Sequence, residues 1–159
     1  MLYPKFFKMD LLSRVAFLAT ELLKPDHAVV EKEKIAVVLS THSGCLEADK
    51  KFEESRKTFA SPALFVYTLP NIMLGEICIR NGFKGEQMCS IEERFNADWF
   101  LFYVSDLLKH REMDACLFGH VEALADKATA DLFWVTKAAG NADEIIFNKE
   151  NLIRITSNA

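Results

Sequence analysis

The chain has 159 residues, of which 50% are apolar, 26% charged and 11% aromatic. That is enough for one domain with a sizeable core, and 13 Phe and two Trp beside six Gly and four Pro exclude disorder as the main state. Nineteen Lys and Arg against 23 Asp and Glu give a net charge of −4, without the basic excess of a nonspecific nucleic-acid binder. The four cysteines, Cys45, Cys78, Cys89 and Cys116, are far apart and form no Cys-x-x-Cys pair, so free thiols in a reducing cytoplasm are expected. Lys5 and Lys8 precede an apolar stretch, but Asp10, Arg14 and Glu21 interrupt it and no cleavage site follows, which argues against a signal peptide. The run Trp99–Val104 is too short to span a bilayer, so no membrane partner is expected.

Periodicity predicts the elements in order. Leu11, Val15, Leu18, Ala19 and Leu22 share one face of a helix that starts at the cap Asp10 and stops before Pro25. Lys34–Ser40 is a β-branched run, the pattern of a strand buried on both faces, and Thr41–Gly44 is a turn. Leu46–Phe59 is a charged surface helix. Ser61-Pro62 breaks the chain, and a helix over about Leu69–Arg80 stops at Asn81-Gly82. A short strand Gln87–Ile91, a helix Asn96–His110 and strands Asp114–Glu122 and Asp131–Lys137 follow, with Asn151–Thr156 as a further strand. Helix alternating with buried strand predicts a layered α/β sheet with crossovers, on one domain spanning residues 1–159. With no helix between them, the strands Asp114–Glu122 and Asp131–Lys137 should run antiparallel.

The Asn96–His110 helix is apolar nearly all round, through Trp99, Phe100, Leu101, Phe102, Tyr103, Val104, Leu107 and Leu108, with Phe95 just before it. One sheet covers one face of such a helix, so the pattern predicts a subunit interface through Trp99, Phe100, Phe102 and Tyr103.

Several constellations carry chemistry in other proteins. His42 with Cys45, and Cys116 with His120 on one face of a strand, each offer two metal ligands where three or four are needed, so no metal is expected. Ser43 follows a strand and precedes a helix, but Gly-x-Ser-x-Gly is absent and a turn serine is expected. Cys89 lies in a buried strand, where a thiol stays protonated. Gly82-Phe-Lys-Gly85 lacks both phosphate-loop patterns, so no nucleotide or other cofactor is expected. Lys50, Lys51, Arg56 and Lys57 alternate with Glu47, Asp49, Glu53 and Glu54, the pattern of a solvated face with i,i+4 pairs rather than of a dock for an acidic carrier protein.

In combination, several segments resemble the N-terminal half of a β-ketoacyl synthase. They are Met9-Asp10-Leu11-Leu12-Ser13-Arg14, Ser61-Pro62 with Pro70-Asn71, Gly75 to Ile79, Gly82-Phe83-Lys84-Gly85, and Asp114 to Glu122 with its Gly119. The resemblance runs from Met9 to Lys137. It implies a thiolase-like half-fold, a layered mixed β-sheet with helices on both faces, and a dimer formed near the Asn96–His110 helix. In the enzymes a cysteine nucleophile heads that helix; here the corresponding slot falls at or beside Arg94, and a guanidinium accepts no acyl group. The family's two histidines and lysine come from a C-terminal half for which this chain has no counterpart, and its opening strand is also missing.

The expected function is therefore a noncatalytic ketosynthase-like subunit of a fatty-acid or polyketide-type pathway, in the manner of a chain-length factor. It would pair with a full-length ketosynthase or with itself, holding an acyl chain or an acyl carrier protein. The alternative is an acyltransferase or condensing enzyme that uses Cys89, with Glu92 or Glu93 as base.

Overall fold

The computed structural model describes residues 3–23, 30–125, 127–137 and 145–156. Helix α1 (Leu11–Leu23) begins where the Asp10 carboxylate accepts the amides of Leu12 and Ser13, both at 3.1 Å. Its buried face is not the one the periodicity marks. Leu12, Ser13, Ala16, Phe17 and Thr20 turn inward, whereas Leu18 is 48% and Leu22 81% exposed. The small residues Ser13, Ala16 and Thr20 let the helix lie close to its neighbours, and Thr20 Oγ1 donates to Ala16 O at 2.9 Å, which removes the cost of burying the hydroxyl. Pro25 lies outside the described residues.

Strand β1 (Ile35–Thr41) is buried at every position, as its β-branched run predicts. Helix α2 (Leu46–Arg56) buries only Ala48. Its charges pair at i,i+3 rather than i,i+4: Lys50 with Glu47, Arg56 with Glu53, and Lys57 with Glu54. The helix expected over about Leu69–Arg80 is a single element that starts a little later, at Ile72, and a short helix precedes it where only a chain break was expected. Ser61 caps α3 (Pro62–Val66), its Oγ accepting the Leu64 amide at 3.3 Å, and α4 (Ile72–Asn81) begins only after Pro70. Gly82 ends α4 at φ +72°, a conformation that favours glycine, and the Phe83 amide closes back on Cys78 O.

Strand β2 (Gln87–Ile91) leads to α5 (Ala97–His110), then to β3 (Ala115–Leu124) and β4 (Lys127–Thr136). The residues expected to form a last strand are instead α6 (Lys149–Thr156). Asn148 supplies the helix start, its Oδ1 accepting the Asn151 amide at 2.9 Å. Glu150 lies in the first turn, where the dipole favours it.

The sheet order is β2-β1-β3-β4, with β1 parallel to both β2 and β3, and β3 antiparallel to β4. It is a mixed sheet covered on both faces. On one side α1 and α4 pack on Ile35, Val37, Leu39, Leu117 and Val121. On the other, Phe100, Val104 and Leu107 of α5 and Leu152 of α6 meet Ala36, Val38, Cys116 and Phe118. Gly119 (φ +155°) lets β4 cross close to β3, since a Cβ there would stand 2.0 Å from the Asp131 carbonyl oxygen.

In space, α5 is less uniformly apolar than in sequence. Phe100 is fully buried on Phe118, with ring centroids 5.5 Å apart, and so belongs to the chain's own core rather than to a surface a partner could reach. Trp99 and Tyr103 stack on each other at 5.5 Å, and Arg111 lies over Tyr103. Phe102 alone is largely exposed (74%), on a strip shared with Asp98, Ser105, Asp106 and Lys109. The helix is therefore not buried on every side within this chain. The apolar count misleads because most of its rings stack along the sheet side or on one another.

Candidate functional site at the carboxyl edge of the sheet

From β1 the chain crosses to β2 on one side through α2, α3 and α4, and from β2 it crosses to β3 on the other side through α5. By the general rule for open α/β sheets, such a reversal of direction marks the carboxyl ends of the strands as the place of a ligand crevice. The turn after β1 (residues 42–45) and the loop after β2 (residues 92–96) border it.

The α5 face of the sheet changes character at this edge. One register row is Met88, Val38, Phe118 and Phe133; the next is Ser90, Ser40, His120 and Asp131, one polar side chain from each of the four strands. Ser40 Oγ and His120 Nδ1 lie 2.8 Å apart in a buried setting. Burial holds the His120 pKa below its ordinary value, while the carboxylates of Glu122 and Asp131 pull the other way.

Glu122, two residues further along β3, organises the turn. Its Oε2 accepts Thr41 Oγ1 at 3.3 Å and the amides of His42 and Ser43 at 2.8 and 3.1 Å. Burial alone would raise its pKa, but the hydrogen bonds from Ser43, His42 and Thr41 outweigh that and keep the carboxyl below its ordinary value. Its other oxygen, Oε1, is buried without a protein partner, as is Ser90 Oγ. On the opposite border, the Glu92 amide donates to Thr41 O at 3.0 Å and the Glu92 carboxylate accepts Asn96 Nδ2 at 3.2 Å. Asn96 Oδ1 in turn caps α5 through the Trp99 amide.

Arg94 stands in this loop, exposed, two residues before the cap. Glu92 is a strut of the loop, and Glu93 is exposed. Cys89 is not in the crevice. It pairs in register with Leu39 and packs into the α1/α4 side of the sheet, where burial pushes its thiol up to about 11. Burial likewise raises Cys78 to about 12 and also raises Cys45 and Cys116. Cys45 lies in the α1/α4 cluster and His42 is exposed, so that pair does not converge. Cys116 and His120 do share a face, but four strand residues separate them by about 13 Å. Among the described residues no three His, Cys, Asp or Glu converge on a metal position, and no helix is long and apolar enough to cross a membrane.

Sequence reasoning missed the row itself. Ser40, Ser90 and Asp131 drew no attention, and His120 was weighed only as a metal ligand. The available signal was polar residues ending otherwise apolar strands, in Leu39-Ser40-Thr41 and Gly119-His120-Val121-Glu122.

No protein-family model and no curated protein matches the sequence. Solved structures do. The ishigamide ketosynthase/chain length factor superposes with a TM-score of 0.69 at 24% identity, covering 82% of this chain and 44% of that one. A ketosynthase (ApeO) in complex with its chain length factor (ApeC) from Xenorhabdus doucetiae gives 0.64 at 16% identity, covering 88% and 63%. AntDE:AntF, a type II PKS acyl-carrier protein in complex with its ketosynthase bound to the hexaketide, gives 0.58 at 14%, covering 78% and 38%. The chain thus spans between about two fifths and two thirds of the length of these proteins, and its fold is the thiolase-like fold of the ketosynthase and chain-length-factor type.

Proposed function

We propose that this chain is a noncatalytic ketosynthase-like subunit, one domain over residues 1–159, that assembles with a catalytic ketosynthase in a cytoplasmic fatty-acid or polyketide-type pathway. The observation that carries the reading is the head of α5. Where the resemblance puts an acyl-accepting thiol, the loop presents Arg94, and the nearest cysteine along the chain, Cys89, faces the other side of the sheet with a raised pKa. A permanently charged guanidinium forms no thioester, but it is suited to hydrogen bonding with carboxylate or phosphate groups.

The solved neighbours support the partnership, since two are named for a ketosynthase together with a chain length factor. The interface residues proposed are Phe102, which stands exposed, and Trp99 and Tyr103 beside it. The edge strand β4 offers a second contact, because an open sheet edge is a template for pairing with another chain. An acyl carrier protein would then deliver substrate to the assembled pair. The competing reading, an acyltransferase using Cys89, is disfavoured by the half-buried setting and raised pKa of that thiol.

Coexpression with a catalytic ketosynthase of the chain-length-factor-dependent type, followed by light scattering, tests the reading. A one-to-one complex whose condensation activity requires the ketosynthase's own cysteine is expected. A chain that condenses acyl and malonyl carrier thioesters unaided, or never associates with a ketosynthase and forms only a homodimer, overturns it.

A further inference from the structure

We propose that Ser40, His120 and Glu122 form a proton-operated latch on the turn that borders the crevice. Three geometric facts carry this. His120 is 8% exposed and Ser40 fully buried, with Oγ and Nδ1 2.8 Å apart, so the imidazole sits in a fixed orientation. Glu122 projects from the same face of the same strand two residues on, so the two side chains are neighbours. Finally, Glu122 spends one oxygen on the Thr41 hydroxyl and the His42 and Ser43 amides and leaves the other buried and bare.

At neutral pH the imidazole is uncharged and Glu122 holds the turn alone. The titratable groups around His120 are Glu122 on β3, Asp131 opposite it on β4, His42 in the turn and Glu92 in the loop before α5. A second proton makes both ring nitrogens donors and turns the ring into a cation beside a carboxylate that has an unused oxygen. Glu122 is then drawn toward the ring, in competition with the His42 and Ser43 amides and the Thr41 hydroxyl. Because burial lowers the His120 pKa, the change sets in as pH falls below 6.5, the ordinary imidazole value, toward the lower folded value. The same proton destabilises the fold, since the unfolded chain binds it more readily in that window. The consequence is a crevice border whose order follows pH. This inference does not depend on the function proposed above.

The test is an NMR titration of the isolated chain in a His42→Gln background, so that the turn's own imidazole does not report. The His120 ring should titrate below 6.5, and the residue-42 and Ser43 amides should shift with the same midpoint. Their exchange, corrected for its intrinsic pH dependence, should speed up by about tenfold for each pKa unit of coupling. Glu122→Gln should leave the ring titrating, with its midpoint lowered by loss of the carboxylate's pull, but flatten the response of the turn. Turn amides that ignore the ring's midpoint overturn the latch, as does an unchanged response in His120→Gln or, if that variant does not fold, turn amides in Ser40→Ala that keep the parent midpoint while the ring's own midpoint moves.

Discussion

Truncating Glu122 to Ala removes one acceptor that serves three donors. Hydrogen bonds to a charged group are each worth about 1.5–3 kcal/mol, but they share a single oxygen here and do not add. The His42 amide is exposed and regains water when the carboxylate is gone, whereas the Ser43 amide and the Thr41 hydroxyl are partly buried and regain less. The expected loss is about 2–4 kcal/mol, which for a domain of this length lowers Tm by roughly 4–16 °C. Glu122→Gln should fall between, because an amide oxygen can still accept while its NH2 group points to the buried position that offers no acceptor. The carboxyl pKa is lowered in the fold, so its contribution is present above the ordinary value of 4.5 and fades as pH drops through the folded value. Differential scanning calorimetry at pH 7 and pH 3 reads both effects. A Glu122→Ala chain within about 0.5 kcal/mol of the parent at pH 7 would refute the reasoning. So would a gap that fails to narrow in acid.

Gly119→Ala should be more damaging, because its Cβ would meet the Asp131 carbonyl at 2.0 Å and the β3–β4 ladder must open locally; amide exchange across the hairpin should lose protection, and a Tm within 2 °C of the parent would count against the close approach. Native-state iodoacetamide should label Cys89 more slowly than free cysteine at pH 8, since burial keeps the thiol protonated up to about 11, and peptide mapping showing faster labelling would revive the enzymatic reading. Phe100→Ala should cost about 3–5 kcal/mol in chemical denaturation, whereas Phe102→Ser should change the isolated chain by less than about 0.5 kcal/mol and weaken only association with a partner; equal losses would mean that the two rings are not divided between core and surface as described.

The sheet was legible because its signals are strong and local. β1 opens on the unbroken apolar run Ile35–Leu39, and the absence of a helix between β3 and β4 left an antiparallel pair as the natural solution. What failed did so where tertiary context decides. On α1 two faces compete: Leu18 and Leu22 score as the apolar one, yet Ala16 and Thr20 win because small side chains pack closer to the sheet and α4. α6 has too few apolar residues for periodicity to separate helix from strand, and Asn148 was the only decisive letter. The polar row at the crevice was illegible for another reason. It exists only when register is known, since Ser90, Ser40, His120 and Asp131 come from four separated stretches of the chain.

The head of α5 shows why a thiolase-like chain can carry arginine at that position without losing its fold. The apolar rows beneath α5 hold the layers together, while the loop that presents Arg94 is fastened by Glu92 and Asn96 through bonds that do not involve it. Arg94 is exposed and forms no ion pair among the described residues. Arg94→Cys should therefore leave stability within about 0.5 kcal/mol of the parent. The new thiol would follow Glu92 and Glu93 directly, and nearby carboxylates favour the protonated form, so its alkylation at pH 7 should be no faster than that of a free cysteine. Among the described residues the only buried imidazole is His120, already engaged with Ser40 through Nδ1. Nucleophile, base and oxyanion donors act as a unit, and restoring one member alone restores little. The purified Arg94→Cys chain should thus show no condensation of acyl and malonyl carrier thioesters by mass spectrometry. A measurable product would mean that the crevice still holds working acid–base groups, and that arginine alone keeps the chain silent.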